Sequence, residues 1–176
     1  MSIIDRIEKE RLRDLLGKGW LSHDGMWFLA VLNELGIEAA NRLNRSAIES
    51  LAPVELRRYL KEFGGDAGTV VTTDGVYTFM KDALDVVLPS SVRSGFGITM
   101  TGKDRIGWEW KGHSCFAYQG MKMLGVESEY QCGVIYRIEC WLKVMGIHYT
   151  VSPEIDRCLI PLQDACRGEF VLKSLQ

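Results

Sequence analysis

The apolar period of this chain changes once, near residue 95, and that change restricts the fold more than any other feature of the sequence. In "DGVYTFMKDALDVVLP", residues 74–89, Val76, Phe79, Met80, Ala83, Leu84 and Val87 fall on one face at helical spacing before Pro89 stops the run. From residue 95, "GFGITMTGKDRIGWEW" alternates instead. Phe96, Ile98 and Met100 point one way, Thr101 to Asp104 turn the chain, and Ile106, Trp108 and Trp110 resume the pattern. A strand cannot gather a helical stripe onto one face, nor can a helix gather an alternating row. The first half is therefore predicted as helices, and residue 95 opens a hairpin with an aromatic face.

Local signals fill in the remaining elements. Ser22 or Asp24 is predicted to cap a short helix over "MWFLAVLNEL"; "IEAANRLNRSAIESL" follows Gly36, and Pro53 opens "PVELRRYLKEF". Beyond the hairpin, "HSCFAYQGMKML" ends at Gly125 and "YQCGVIYRIECWLKVM" at Gly146, the latter with an apolar stripe of Val134, Ile135, Ile138, Trp141, Leu142 and Met145. "IHYTVS" and "GEFVLKS" then alternate as strands. This order predicts an α+β fold in which N-terminal helices precede a four-stranded antiparallel sheet, made of two hairpin-like strand pairs and packed on helices. One domain spans 1–176, with a helical part over 1–90 and a sheet-helix core over 95–174. The glycine-rich "FGGDAG" at 63–68 is the expected flexible joint.

Composition excludes several classes of function. The chain has 176 residues, 47% of them apolar, enough to bury a sizeable core. Its net charge is −2, and Lys and Arg are spread along the chain, so no basic stripe exists for a phosphate backbone. No apolar run approaches the roughly eighteen residues of a membrane span, and "MSIIDRIEKERLRDLL" has no signal-peptide core. A cytoplasmic protein with neither nucleic acid nor membrane as partner is expected.

That compartment bears on the cysteines. Cys115, Cys132, Cys140, Cys158 and Cys166 all lie in the last third, an odd number in a compartment that keeps thiols reduced, which argues against a disulfide framework. In "CLIPLQDAC", Cys158 ends one predicted strand and Cys166 begins the next, while Cys132 lies in the first turn of the preceding helix, where amides favour thiolate. These three, with Glu154 or Asp156 as an oxygen ligand, have the makings of a tetrahedral metal centre. The competing reading is that free cysteine is simply a small buried hydrophobe.

The succession Cys132, Cys158, Cys166 in a strand-loop-strand resembles the 4-vinyl-reductase-type domain, known from sensory modules of phenol- and arene-responsive bacterial regulators. "CFAYQGMKMLGVESEYQC" followed by "CRGEF" is also similar to the aminothiazoline-carboxylate hydrolase-like family and to related uncharacterised bacterial and archaeal proteins, and "LSHDGMWFLAVLNELG" resembles the N-terminal helix of that uncharacterised group. The first resemblance covers roughly residues 95–174 and implies a structural zinc held by the three cysteines and an acid, beside a pocket for an aromatic ligand. The acid's position in the family falls on Ile155 here, flanked by Glu154 and Asp156. Glu154 is the expected fourth ligand, with Asp156, His113, Cys115 and water left open.

Trp20, Trp27, Trp108, Trp110 and Trp141, with Phe96 and Tyr118, are candidates to line an apolar pocket of roughly a few hundred Å³; Phe96, Trp108, Trp110, Tyr118 and Trp141 are its expected ligand-binding residues. Aromatic residues on amphipathic elements are equally core formers. His23 beside Asp24 could form an acid-base pair, although capping explains the aspartate; Cys115 near His113 is a second catalytic candidate. The leading expectation is a non-catalytic zinc-containing protein that binds a small hydrophobic or aromatic molecule, with a homodimer compatible. The alternatives are a hydrolase of a small cyclic amide or thiazoline-like substrate, which the second resemblance implies, and a structural or assembly protein.

Overall fold

A computed structural model describes residues 2–64 and 72–173 of the chain. After a short 3-10 turn at Ile4–Arg6, the elements run α1 (Lys9–Glu62), α2 (Thr73–Val87), α3 (Ser90–Arg93), β1 (Phe96–Gly102), β2 (Arg105–Trp110), α4 (Phe116–Met123), α5 (Gly133–Val144), β3 (His148–Ser152), α6 (Ile160–Gln163) and β4 (Cys166–Lys173). The sheet is antiparallel throughout, in the order β1-β2-β4-β3. The α+β order read from the sequence holds. Of the joint expected at 63–68, Phe63 and Gly64 follow the end of α1 and the rest lies outside the described residues. Among the described residues no helix is long and apolar enough to cross a membrane.

Helix α1 departs from the expected boundaries. Ser22 and Asp24 lie inside it and cap nothing, because "KERLRDLL" upstream is rich in helix formers and carries the helix back to Lys9. Pro53 is also internal, where it removes one backbone donor without ending the helix. The true interruption is Gly36, at φ 81° and ψ 173°, which divides α1 into two helical runs. That conformation is essentially confined to glycine.

The aromatic face of the hairpin forms as predicted. Phe96 lies opposite Trp110 and Ile98 opposite Trp108, and β4 continues the row with Cys166 opposite Trp110, Gly168 opposite Trp108 and Phe170 opposite Ile106. A Cβ on Gly168 would come within 2.5 Å of the Trp108 ring, so this glycine is what allows the indole to lie across the strand. Helices cover this face: α2 touches β1 and β2, α5 touches β3, and α1 packs on α5. The buried face of α2 is Val76, Phe79, Met80, Ala83 and Leu84, five of the six residues its period indicates.

Trp141 joins the helices at the centre. Its ring meets Phe79 of α2 and Tyr59 of α1 edge-on, each at 6.1 Å. Its indole N–H donates to Glu55 Oε2 at 3.0 Å, and Arg137 Nε donates to the same oxygen at 2.9 Å. Arg137 Nη2 also pairs with Glu55 Oε1, and the Tyr59 hydroxyl donates to that oxygen at 3.3 Å. Burying a carboxylate is costly unless its lone pairs are filled, as they are here.

Two substitutions test these packing arguments in denaturant unfolding. Glu55→Ala strands Arg137 and the Trp141 N–H, and the expected loss is about 3 to 5 kcal/mol. Gly36→Ala should cost about 1 to 3 kcal/mol, whereas Gly25→Ala, at a helical position with open space around it, should stabilise by up to about 1 kcal/mol.

Candidate functional site

Four of the five cysteines are brought into one buried region by four different segments. Cys115 is the N-cap of α4, Cys132 the N-cap of α5, Cys158 immediately precedes the N-cap of α6, and Cys166 opens β4. All four are buried and unpaired by disulfides. Their neighbourhood is fixed by backbone register and polar ties. Cys166 faces Trp110, the last residue of β2, from which the chain turns directly into Cys115. His113 Nε2 lies 2.8 Å from Asp164 Oδ1, joining the turn before Cys115 to the loop before Cys166. The Cys158 N–H donates to the Tyr130 carbonyl at 2.9 Å, two residues before Cys132.

Helix α1 fixes the approach to Cys132. Asn41 Nδ2 donates to the Glu129 carbonyl at 2.9 Å, and its Oδ1 accepts the Gln131 N–H at 3.0 Å. The Tyr130 hydroxyl accepts the Gly133 N–H at 3.0 Å. Space is tight at Gly133: a Cβ there would stand 2.9 Å from Asn44 Nδ2 and 3.0 Å from both Ile48 Cδ1 and the Tyr130 hydroxyl. The start of α5 is thereby pressed onto α1.

Burial keeps the four thiols protonated. Burial pushes Cys115 up to about 12 and Cys132 to about 11, and it raises Cys158 and Cys166 as well. The sulfurs also act on one another: Cys132 and Cys158 raise Cys115, Cys158 raises Cys132, and all three other thiols raise Cys166. Opposing this, helix-start amides pull three of them down: Tyr118 and Ala117 at Cys115, Ile135 and Val134 at Cys132, Ile160 at Cys158. The Trp108 side chain does the same at Cys166. Cys140 stands apart on α5, pushed up to about 11 by burial, with Lys143 and Glu49 as its nearest charges in effect.

The expected metal ligands Cys132, Cys158 and Cys166 thus share a neighbourhood, and Cys115 joins them. Glu154 does not. Strand β3 stops at Ser152, so the alternation that would direct Glu154 and Asp156 towards Cys158 has ended; Ile155 turns inward and both acids are exposed. The carboxylate whose charge reaches Cys158 belongs to Glu127. Among the described residues, no three His, Cys, Asp or Glu side chains are already gathered closely enough to grip an ion. The four thiols form a neighbourhood rather than a closed coordination sphere.

An apolar cavity of about 80 Å³ adjoins the thiols, lined by Leu21, Ile48, Leu84, Ala117, Val134 and Trp141, with Asp24, Asn44 and Arg137 as polar groups. The small residues Ala117 and Gly133 are in its wall, and each lies within two positions of a cysteine. Partial burial raises the Asp24 carboxyl above its ordinary value, with Arg137 and His23 pulling it down. Of the five expected ligand-binding residues only Trp141 lines this cavity. Phe96 and Trp110 pack together at 4.9 Å, Trp108 packs on Phe170 at 4.7 Å, and Tyr118 meets His113 at 5.6 Å. The rings on the sheet are consumed by packing, so the space opens between helices and is smaller than the sequence suggested. Trp20 and Trp27 are substantially exposed on α1. Trp108 also borders a solvent-open trough of about 300 Å³ on the other face of the sheet, with Gly97, Thr99, Gly107 and Arg167.

Neither catalytic candidate assembles as expected. Inside α1, His23 and Asp24 are both exposed, Asp24 at the edge of the cavity, with no hydrogen bond between them among the described residues, and His113 engages Asp164. Residues 5–89 match the model of a family described as "Family of unknown function (DUF6125)". The match takes in the described parts of α1 and α2 and ends before the sheet. No curated protein and no solved structure matches the chain.

Burial and the raised thiols have a direct chemical consequence, because the thiolate is the reactive species. Under reducing-agent-free conditions, Ellman's reagent should leave all five thiols of the folded protein unmodified over minutes and should modify all five after unfolding in guanidinium.

Proposed function

We propose that this is a cytoplasmic, zinc-containing protein that binds a small apolar or aromatic molecule, with the metal pinning the C-terminal segments and the cavity receiving the ligand. The observation that carries the reading is the adjacency of the two features: α4 and α5 each begin with a buried cysteine and continue at once into the cavity wall. The resemblance to the 4-vinyl-reductase-type domain supports the same pairing of zinc and pocket. The donor set suits zinc, which favours thiolate-rich closed sites. Cys132, Cys158 and Cys166 would hold it, and its chemistry there would be structural, linking α5 to the two ends of the α6 loop. At about 80 Å³ the cavity is well below the roughly 300 to 1,000 Å³ of drug-sized sites, so its occupant is a small fragment.

Elemental analysis of freshly purified protein should find about one zinc per chain, and Cys158→Ser should lose it and lower the melting temperature. Metal-free protein of unchanged stability would overturn the zinc reading. For the pocket, small aromatic probes such as benzene or indole should stabilise the fold by about 2.7 kcal/mol at a hundredfold excess over Kd. Ala117→Trp, which fills the cavity, should abolish that response while zinc content stays intact.

A structural or assembly role is favoured by one different observation. Leu15, Leu16, Trp20, Met26 and Trp27 are exposed along the first run of α1. Sedimentation across a wide concentration range tests it: association that Leu16→Glu with Trp27→Glu abolishes supports the assembly role, and a monomer at every concentration removes it.

A further inference from the structure

Resting on the assembly reading above, and independent of metal and cavity, we infer that the partner is a second copy of this chain and that two copies pair antiparallel along the first run of α1. Contacts to the body fix which face of that run is left over. Asp14 Oδ1 accepts the Ser90 N–H at 2.8 Å, Gly17 lies against Pro89, Leu21 lines the cavity, and the Phe28 ring meets Tyr130 at 5.7 Å. These residues, at steps of three, four and seven, form the inward stripe. Leu16, Trp20, His23 and Trp27 form a second stripe, turned about 130° away from the first around the helix axis. All four are exposed, Leu16 at 66%, Trp20 at 48% and Trp27 at 44%, with Met26 beside them at 63%. Their steps of four, three and four are the seam spacing of a helix pair.

Area and charge identify the occupant. At roughly 150 to 250 Å² for a large side chain, Leu15, Leu16, Trp20, Met26 and Trp27 together leave on the order of 600 Å² uncovered per chain. Two copies facing one another about a twofold axis would remove about 1,200 Å² from water, the size at which stable specific interfaces begin. Lys9, Arg11, Arg13 and Lys18 outnumber Glu10 and Asp14 over residues 9–18, whereas residues 19–41 contain no Lys or Arg and carry Asp24, Glu34 and Glu38. An antiparallel pair lays each basic end along the partner's acidic end, while a parallel pair would set like charges together. Size agrees with charge. Setting Trp20 beside His23 of the second copy puts Leu16 against Trp27, Lys9 beside Glu34, and Met26 over Gly19, which has open space around it. The same charge distribution disfavours an anionic membrane as occupant, because interfacial helices carry Lys and Arg along their polar face.

Sedimentation equilibrium of the full chain should give a dimer. Trp20→Glu should weaken it by about tenfold or more, while Met123→Glu, at a side chain 84% exposed on α4, leaves it unchanged. Cross-linking reads the orientation without touching the apolar seam. The five native thiols are buried, so cysteines introduced by Lys9→Cys or Glu34→Cys are the ones open to mild oxidation. A mixture of these two variants should form the mixed disulfide dimer, and neither variant alone should cross-link to itself. A dimer that Trp20→Glu leaves intact, self-cross-linking of either cysteine variant, or a mixture without the mixed disulfide overturns the inference and leaves the assembly reading standing. Wild type that is monomeric at every concentration, including one that binds phosphatidylserine-containing vesicles instead, overturns both. Because orientation is read on variants that keep every seam residue, failure of Trp20→Glu to fold does not rescue the inference.

Discussion

The contact between α1 and α5 organises the molecule, and two polar residues of α1 govern it. Asn41 and Glu55 are the polar side chains buried among the described residues, and both bond to α5 or to the loop that leads into it. Along a helix they are separated by about 21 Å, close to the length of α5 itself. Asn41 holds the entry to α5, Glu55 holds Arg137 and Trp141 further along, and Glu49 meets the Tyr136 hydroxyl between them. The second run of α1 and α5 therefore lie side by side in the same direction. An apolar stripe alone would allow sliding, whereas a slip of one turn here would leave Glu55 and Asn41 buried without partners. This fixed register determines where Cys132 and Gly133 stand, and with them the thiol cluster and the cavity.

Most of the element order was legible because the periods are strong. The α2 face, the alternation of Phe96, Ile98, Ile106, Trp108 and Trp110, and the glycines ending α4 and α5 all report backbone geometry locally. The caps at Ser22 and Asp24 misled because a side chain that is able to cap is also tolerated on an exposed helical surface, and only the run of helix formers before it decides between the two. Pro53 misled for a related reason: tertiary contacts on both sides hold α1 together through a position that propensity alone would break.

The thiols were legible in part. Cys158 and Cys166 announce themselves by flanking one loop, and Cys132 by its place at a helix start. Cys115 carries the same helix-start signal, in "HSCFAYQG", but its proximity depends on the pairing of β2 with β4, a long-range register that no local pattern encodes. Glu154 stands beyond Ser152, where β3 has already ended, so strand alternation does not reach it. The cavity was sought among large aromatic residues, yet aromatic rings fill space. Its wall runs instead through residues close in sequence to two cysteines, among them Ala117 and Gly133.

A cluster drawn from four separate segments also has a history in time. At about 5 to 20 residues per second, synthesis of the stretch from 115 to 166 takes on the order of 3 to 10 seconds, and throughout it Cys115 and then Cys132 are present without the strand that encloses them. In the finished fold these sulfurs are shielded from oxidants, but on the ribosome they are not. The period in which these thiols are open to oxidation is thus that of synthesis, before β4 has closed over them.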